Sequence, residues 1–422
     1  MRRFSLIKIA VTVALALVIV AVACSAASVV TVRFATYGLL EKATADLFKK
    51  MAVDFEAANK GVKIEFVNFP YGDLKQQVLV MASAGDYVDV VHGERPWLST
   101  FVASGYFAEL DRFMSRSYLK DFYPNILDDM RSNGKLYAIP WIVTPYVLYY
   151  NKDLFTKAGL DPNAPPKTYD QAVAYAAKIA ALKDKDGNQV YGLGETTASV
   201  PVSGSSILRV LYSFGGGIWD KKGNVSVNTP GNVEAFKYLK TLYENKYNAE
   251  VAKLKDLRNL FAIGRLGMYF DQLWGISGAI AINPEIQGKL GLAPPPATAA
   301  TKGLSTLEAH MLLIMKDSKH KSEAARFVEY ITSKDVMVNY YTNYSRFIAP
   351  RASIDKLPEM NDAFIKPAKT SISQCKAMAK QHPNMESAFL ELCAAAQKVT
   401  VGKSSPETVV KELDAKLKEI LK

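Results

Sequence analysis

The sequence predicts an α/β protein with two lobes, each a mainly parallel sheet flanked by helices. At 422 residues the chain is longer than one ordinary domain and long enough for two. Hydrophobic residues make up 49% of it and charged residues 22%, which is typical of a globular protein and argues against a disordered one. From residue 30 onward, patterns typical of strands alternate with patterns typical of helices, and this order predicts parallel strands.

The alternation is clearest in the first 65 residues after position 29. Val30, Val32 and Phe34 lie on one side of a predicted strand, because successive side chains in a strand point to opposite faces. Gly61 and Gly85 end the two helices that follow. The order βαβαβ implies right-handed crossovers between parallel strands. The predicted elements are strand 30–35, helix 40–58, strand 62–66, helix 74–84 and strand 88–91.

Capping residues mark further helices later in the chain. Thr168 with Gln171 is a capping-box pattern, and Thr229 and Ser405 each precede a proline at a helix start. Three consecutive prolines at 294–296 form a rigid connector, where we expect the chain to cross between the lobes. The predicted helices are 168–182, 229–245 and 405–420.

The N-terminus predicts export from the cytoplasm. Arg2 and Arg3 precede an apolar segment, 9–23, that has the length of a signal-peptide core and is short for a membrane span. We therefore interpret residues 1–23 as a signal peptide. Small residues precede Cys24 as in a bacterial lipobox, which predicts a lipoprotein acylated at Cys24; cleavage after Ala27 is the alternative. The mature protein is expected in the periplasm or on the outer face of the membrane, either soluble or tethered only by its end.

Charge and histidine content argue against several ligand classes. The formal net charge is +11, yet no block of five or more basic residues occurs, so we predict no nucleic-acid partner. The four histidines, His92, His310, His320 and His382, share no spacing typical of metal ligands. We therefore expect no metal site and no cofactor.

The sequence carries none of the common catalytic motifs. No Gly-x-Ser-x-Gly, His-Glu-x-x-His, P-loop or Gly-x-Gly-x-x-Gly pattern occurs, so the chain is interpreted as not being an enzyme. Paired carboxylates could still form a glycosidase site among its 41 acidic residues, and a secreted carbohydrate-active enzyme stays open as an alternative.

A succession of short motifs resembles a known family. The chain reads NGKLYAIP at 133–140, YYNKDLF at 149–155, KAGL at 157–160 and PPKTYD at 165–170. In this order the motifs are similar to family 1 extracellular solute-binding proteins of ABC transporters, the group that includes maltose-binding protein. The similarity runs from about residue 30 to the C-terminus. Most of these residues suit turns and helix ends, so they bear on the fold more than on the ligand.

The resemblance implies a type II periplasmic binding protein fold that closes on its ligand by a hinge motion. By similarity, residues 28–143 and 292–341 form the N-terminal lobe, and residues 144–291 and 342–422 form the C-terminal lobe. The resemblance also implies a monomer that binds a mono- or oligosaccharide and delivers it to the membrane permease of an ABC importer.

A sugar site needs flat aromatic surfaces for the C–H faces of the ring and fixed polar groups for its hydroxyls. In α/β sheets the ligand lies beyond the carboxyl ends of the strands, so residues that follow strands are candidates. The resemblance adds that Glu94, Thr144, Glu195, Trp274 and Phe389 fall in regions that contact ligand. The predicted ligand residues are Tyr37, Glu94, Trp97, Trp141, Thr144, Glu195, Trp219, Asp271, Trp274, Glu308 and Phe389.

Other interpretations of these residues remain open. Trp219 could pack in a loop, and Glu308 could be a solvated acid. The same fold could bind glycerol phosphate, a polyamine or a peptide. Phosphate would favour several convergent basic residues and a polyamine several acids, whereas the candidate loops mix aromatic residues with both charges. That mixture favours a neutral polyol.

Two cysteines remain in the mature chain, Cys375 and Cys393. They flank a predicted helix break at 381–383, and a hairpin there could bring them together as a disulfide in an exported protein. Residues from about 371 to 381 look like an insertion relative to the family pattern. The alternative is two separately buried thiols.

Overall fold

The structure is a computed structural model of the chain that describes residues 29–362, 364–372, 375–376 and 382–422. The predicted signal peptide and Cys24 lie outside these residues. Within the described ranges, no helix combines the length and the apolar character that crossing a membrane requires.

The predicted βαβαβ series opens the first of the two larger sheets. Strand β1 is central, and both β2 and β3 pair with it in parallel. Gly61 and Gly85 follow the two helices with positive φ of 88° and 77°, a conformation that favours glycine. The first helix begins at Ala45 instead of Leu40, because residues 38–44 form turns. The elements are β1 (Val30–Thr36), α1 (Ala45–Ala58), β2 (Val62–Asn68), α2 (Tyr71–Ser83) and β3 (Val90–Glu94).

The same sheet gains strands from much later in the chain. Ser305–Ile314 runs antiparallel to β3 on one side and to Ile139–Pro145 on the other. The register on that second side shifts between His310 and Met311, which leaves Trp141 as the extra residue of a β-bulge. We call this sheet and the helices packed on it the first lobe. Its other elements are α3 (Leu98–Ser104), α4 (Arg116–Lys120), α5 (Pro124–Asp128), the hairpin β4 (Arg131–Ser132) and β5 (Lys135–Leu136), β6 (Ile139–Pro145), β11 (Ser305–Ile314), α12 (Lys321–Ile331), α13 (Lys334–Asn343), α14 (Ala352–Asp355) and β12 (Cys375–Lys376).

The second sheet has the strand order β10-β7-β9-β8. Only β8 and β9 run parallel; β7 lies antiparallel to both of its neighbours, so this sheet is mixed. We call this sheet and its helices the second lobe. Its elements are β7 (Val147–Asn151), α6 (Lys152–Lys157), α7 (Tyr169–Ala180), β8 (Tyr191–Gly194), α8 (Pro201–Ser213), α9 (Pro230–Glu244), α10 (Leu254–Ala262), β9 (Leu266–Asp271), α11 (Gly275–Ile282), β10 (Leu290–Ala293), α16 (Met385–Thr400) and α17 (Pro406–Ile420).

The predicted helix starts are confirmed by their caps. The side chains of Thr168, Thr229 and Ser405 each accept a hydrogen bond from a backbone N–H three residues later. In a capping box the side chain of Gln171 would accept from the backbone N–H of Thr168. It accepts instead from the backbone N–H of Lys167, one residue earlier. Each cap satisfies a backbone donor that the first turn of a helix leaves without a helical partner.

The chain passes between the sheets at three places: β6 to β7, β10 to β11 across the proline segment 294–296, and near α15 (Lys366–Ile372), which contacts β6, β7, β10 and β11. At the first of these, Thr144 at the end of β6 accepts a hydrogen bond of 2.9 Å from the N–H of Leu273.

The lobe bounds inferred from the resemblance stay a prediction. Residues 344–360 contact the first lobe, for example through Arg351 and Asp121, 2.8 Å apart.

Candidate functional site

A cavity of about 510 Å³ lies between the two lobes. Both lobes line it, and aromatic rings and hydrogen-bonding groups alternate around it. We call it the interlobe cleft. The first lobe contributes Tyr37, Tyr71, Glu94, Trp97, Ile142, Glu308, His310 and Tyr340, and the second contributes Pro201, Ser205, Leu254, Lys255, Arg258, Gln272 and Trp274.

A second cavity, of about 580 Å³, lies on the second lobe alone. Its lining is rich in lysine and acidic side chains and includes no aromatic ring. Stacking against a sugar ring requires an aromatic face, so the interlobe cleft is the better candidate despite its smaller volume.

The cleft brings together five of the predicted ligand residues. Tyr37 follows β1, Glu94 ends β3, and Trp97 lies in the turn after it. Trp274 follows β9 in the second lobe, and Glu308 lies within β11. Four of the five therefore occupy the position that the strand-end rule predicts, at the carboxyl ends of strands.

Aromatic rings form a continuous wall on the first lobe. The rings of Tyr37 and Tyr71 meet edge to face at 5.3 Å, and Tyr71 lies 5.8 Å from Trp97. Trp274, from the second lobe, lies 4.8 Å from the imidazole of His310. Such rings offer flat apolar faces on both lobes of the cleft.

Glu94 lies at the centre of this wall. Its two carboxylate oxygens accept hydrogen bonds from the hydroxyls of Tyr37, at 3.1 Å, and Tyr71, at 2.8 Å. Burial raises the pKa of Glu94 to about 7, although both hydrogen bonds act to lower it. The tyrosines thus hold the carboxyl group in one orientation, facing the cleft.

Glu308 connects the lobes directly. The hydroxyl of Ser205 on α8 donates a 2.6 Å hydrogen bond to its carboxyl oxygen. Burial, with a smaller contribution from the nearby charge of Glu94, raises the pKa of Glu308 to about 8 against the opposing effects of Ser205 and Arg95. Glu308 therefore carries a proton at neutral pH.

We expect Glu308→Gln to raise stability at pH 8.5 by more than about 1 kcal/mol relative to the parent protein, and much less at pH 5. The folded protein keeps a proton on Glu308 that the unfolded chain loses above its ordinary pKa. That contribution is therefore full at low pH and is lost as the pH rises through about 8. Thermal unfolding between pH 5 and 8.5 measures the effect.

The same substitution at Glu412 is the control, because that side chain is 53% exposed. A Glu308→Gln protein whose melting temperature follows the parent at every pH would contradict the assignment of a neutral carboxyl group.

Arg258 is the guanidinium group at the second-lobe side of the cleft. Asp271 holds it with two hydrogen bonds of 2.8 and 3.0 Å, and the hydroxyl of Tyr269 donates to the same carboxylate. Asp271 is fully buried, so it positions Arg258 instead of reaching the cleft itself. Asp271 therefore does not line the cleft, and its predicted contact with ligand stays a prediction.

Residues 41–338 of the chain match the family described as bacterial extracellular solute-binding proteins. The chain belongs to this family. A putative binding protein of Brucella abortus is 28% identical over 383 residues, and the match covers 90% of each sequence.

Two solved structures show the same fold as this solute-binding protein. The GacH receptor of Streptomyces glaucescens, solved unliganded and with acarbose, superposes with a TM-score of 0.81 at 24% identity, covering 93% of this chain and 98% of the receptor. A solute-binding protein from Thermotoga lettingae, bound with α-D-tagatose, gives 0.82 at 23%, covering 94% and 100%. The predicted two-lobed type II binding-protein fold is thereby confirmed.

Trp141 and Thr144 do not line the interlobe cleft of the solute-binding protein. Trp141, the extra residue of the bulge, is fully buried against Phe48, His92 and Tyr340. The bulge turns its side chain into the core, and its neighbour Ile142 faces the cleft instead. Thr144 is also fully buried and joins β6 to the segment before α11.

Glu195 is a buried ion-pair partner and does not line the cleft. It accepts a short hydrogen bond from Arg209 and a 3.0 Å hydrogen bond from the hydroxyl of Tyr238. Both members of the pair are at most 2% exposed. The structure therefore places Glu195 in an ion pair inside the second lobe, and its predicted contact with ligand stays a prediction.

Trp219 and Phe389 pack elsewhere in the second lobe. Trp219 bridges to Val225 and borders a separate surface cavity with the C-terminal residues. Phe389 is 1% exposed and lies against Gly204, where any added Cβ would come within 2.4 Å of it. The close packing of α8 on α16 therefore accounts for the burial of Phe389.

The predicted disulfide is absent, since Cys375 and Cys393 are free thiols. Cys375 lies on β12 of the first sheet and donates to the carbonyl of Ser371, whereas Cys393 lies on α16 and donates to the carbonyl of Val200. Burial raises the pKa of both thiols, to about 12 and about 11. Part of the inserted segment between them, 377–381, lies outside the described residues.

Most of the cleft residues were not predicted from the sequence, and among them are four whose polar or aromatic groups could contact a ligand. Tyr71 and Gln272 follow β2 and β9 closely, so the strand-end rule could have found them. Arg258 in the middle of α10 gives no such signal. His310 reaches the cleft from inside β11, at the bulge. Among the described residues, no cluster of His, Cys, Asp or Glu has the arrangement of a metal site.

Proposed function

We propose that the protein is the substrate-binding component of an ABC importer, that it binds a neutral mono- or oligosaccharide in the interlobe cleft, and that it delivers this sugar to a membrane permease. The observation that carries the proposal is the lining of the cleft. Aromatic faces of Trp97 and Trp274 surround polar groups that are held in fixed orientations by neighbours.

The electrostatics of the cleft support a neutral ligand. Burial lowers the pKa of His310 to about 3 and raises that of Glu308 to about 8, so both are uncharged at neutral pH. Arg258 is neutralised by Asp271. A phosphate ester would find Arg258 already paired and only Lys255 as a second cation, and a polyamine would find Glu41 and the partly ionised Glu94 at the cleft. These ligands and a carbohydrate-active enzyme remain weaker candidates.

Export fits the family, whose members are extracellular solute-binding proteins. Acylation at Cys24 would hold the protein at the membrane surface beside its permease, and we propose that it acts there as a monomer. Closure of the lobes on the sugar would then present one defined shape to the permease.

Thermal shift against a sugar panel tests the function. Purified protein is heated with D-tagatose, maltose, maltotriose and D-mannitol, and with glycerol 3-phosphate and spermidine as the contrasting ligands. A ligand at 100 times its Kd stabilises the folded state by about 2.7 kcal/mol, so we expect a clear rise in melting temperature with at least one neutral sugar.

Chromatography of the recovered sugar completes the test, because a binding protein returns its ligand unchanged. A shift with the phosphate ester or the polyamine alone would replace the sugar proposal, and cleavage of maltotriose would show an enzyme.

A further inference from the structure

His310 and Glu94 are direct cross-strand neighbours on β11 and β3. The bulge after His310 brings its imidazole to the cleft, where Nε2 lies 3.7 Å from Oε1 of Glu94. That separation is longer than a direct hydrogen bond, and both residues line the cavity. Trp274 places an aromatic ring beside them.

A chain of hydrogen-bond contacts behind His310 favours one ring nitrogen for its proton, although Nδ1 of His310 also lies 3.3 Å from the hydroxyl of Tyr37. The backbone N–H of Gly38 donates to Oγ1 of Thr36 at 2.9 Å, so the hydroxyl hydrogen of Thr36 is available for Nδ1 of His92, 3.0 Å away. With that donor, His92 would carry its proton on Nε2 and donate it to Nδ1 of His310, 3.0 Å away. His310 would then keep its own proton on Nε2.

The reverse order of donors is less favourable at both ends of the chain. It would leave the Thr36 hydroxyl hydrogen without the His92 acceptor. It would also point the lone pair of His310 Nε2 at Glu94, and the ionised form of that carboxyl group attracts an N–H and repels a lone pair.

We propose, on the basis of the proposed function, that His310 Nε2–H and Glu94 Oε1 form a donor–acceptor pair that recognises one hydroxyl group of the sugar, and that Thr36 and His92 are the positioning residues that fix this polarity. A hydroxyl both accepts and donates, so one oxygen between the two atoms satisfies both. An ammonium group only donates and a phosphate only accepts, and each would face a like partner. The ring that carries this hydroxyl would stack on Trp274.

Nitrogen NMR of the histidine rings tests the polarity without any ligand. Purified protein labelled with ¹⁵N-histidine has only four such rings, and spectra of His92→Phe and His310→Gln assign two of them. We expect His310 to be protonated at Nε2 alone between pH 6 and 8. Thr36→Val removes the first donor, so it should mix the two tautomers of His310 while the protein stays folded.

Calorimetric titration with the panel sugar of largest thermal shift tests recognition. His310→Phe should weaken binding at least tenfold, equivalent to about 1.4 kcal/mol, because the donor is lost and Glu94 keeps an unmatched acceptor. His310→Gln restores an amide N–H and should recover part of the affinity. His320→Phe, at the N-terminus of α12 away from the cleft, is the matched control and should bind within twofold of the parent.

Failure of the recognition pair and failure of the proposed function give different results. Protonation of His310 at Nδ1, or unchanged sugar affinity in a folded His310→Phe protein, overturns the recognition pair while the sugar-binding function stands. Absence of binding to all four sugars overturns the proposed function and the pair with it.

Discussion

Trp274→Ala is expected to weaken sugar binding by at least tenfold, or about 1.4 kcal/mol, while the protein without ligand stays folded. Trp274 borders the cleft at the start of α11 and is partly buried, with its ring 4.8 Å from His310. Its removal takes away an aromatic face of the second lobe but leaves the sheet beneath intact. Stacking on such faces supplies much of the contact with the apolar side of a sugar.

Calorimetric titration with the best sugar of the panel measures the loss, and the melting temperature without ligand checks the fold. Trp219→Ala is the matched control, because it removes the same ring from a cavity formed by the second lobe and the C-terminus. If Trp274→Ala binds the sugar as tightly as the parent protein, Trp274 is only a packing residue. If Trp274→Ala does not fold without ligand, Trp274 belongs to the hydrophobic core.

Trp97→Ala should behave differently from Trp274→Ala. Trp97 is 7% exposed and packs against Phe101 and Tyr71, and Tyr71 in turn holds Glu94. Its loss should therefore lower both the sugar affinity, again more than tenfold, and the stability of the apo protein.

The local parts of the fold could be predicted from sequence because local patterns determine them. Alternating residues in β1 and the caps Thr168 and Thr229 need no knowledge of distant partners. The antiparallel entry of β11 could not be predicted, because it pairs with β3 from more than 200 residues further along the chain. Nor does a sequence pattern mark the bulge at Trp141, which depends on the register between β11 and β6.

The strand-end rule located the cleft but could not distinguish its lining from the core beside it. Glu94, Glu195 and Asp271 all follow or end strands. Glu94 meets two tyrosines at the cleft, whereas each of the other two meets an arginine from a helix. Which carboxylate has a buried cation as its partner depends on how α8 and α10 pack, and a single sequence does not contain that information.

The second large effect follows from this distinction: Glu195→Ala is expected to destabilise the protein by about 3–5 kcal/mol without a direct effect on the cleft. Arg209 is fully buried, stacks 3.8 Å above the ring of Phe270 and donates to the hydroxyl of Tyr169. Removal of Glu195 would leave this guanidinium group charged, with no opposite charge beside it, in a site that water does not reach. Urea unfolding followed by circular dichroism measures the change.

Two further variants test whether the loss of stability in Glu195→Ala depends on the burial of the ion pair. Glu412→Ala breaks a surface pair with Lys398, 2.7 Å long, in which both side chains are more than half exposed, and it should cost less than about 1 kcal/mol. Replacing both buried partners, Glu195→Leu with Arg209→Met, should recover most of the stability lost in Glu195→Ala, since apolar side chains need no countercharge. If Glu195→Ala instead keeps its stability and loses sugar affinity, the carboxylate serves the ligand after all, and the cleft extends deeper into the second lobe than its lining indicates.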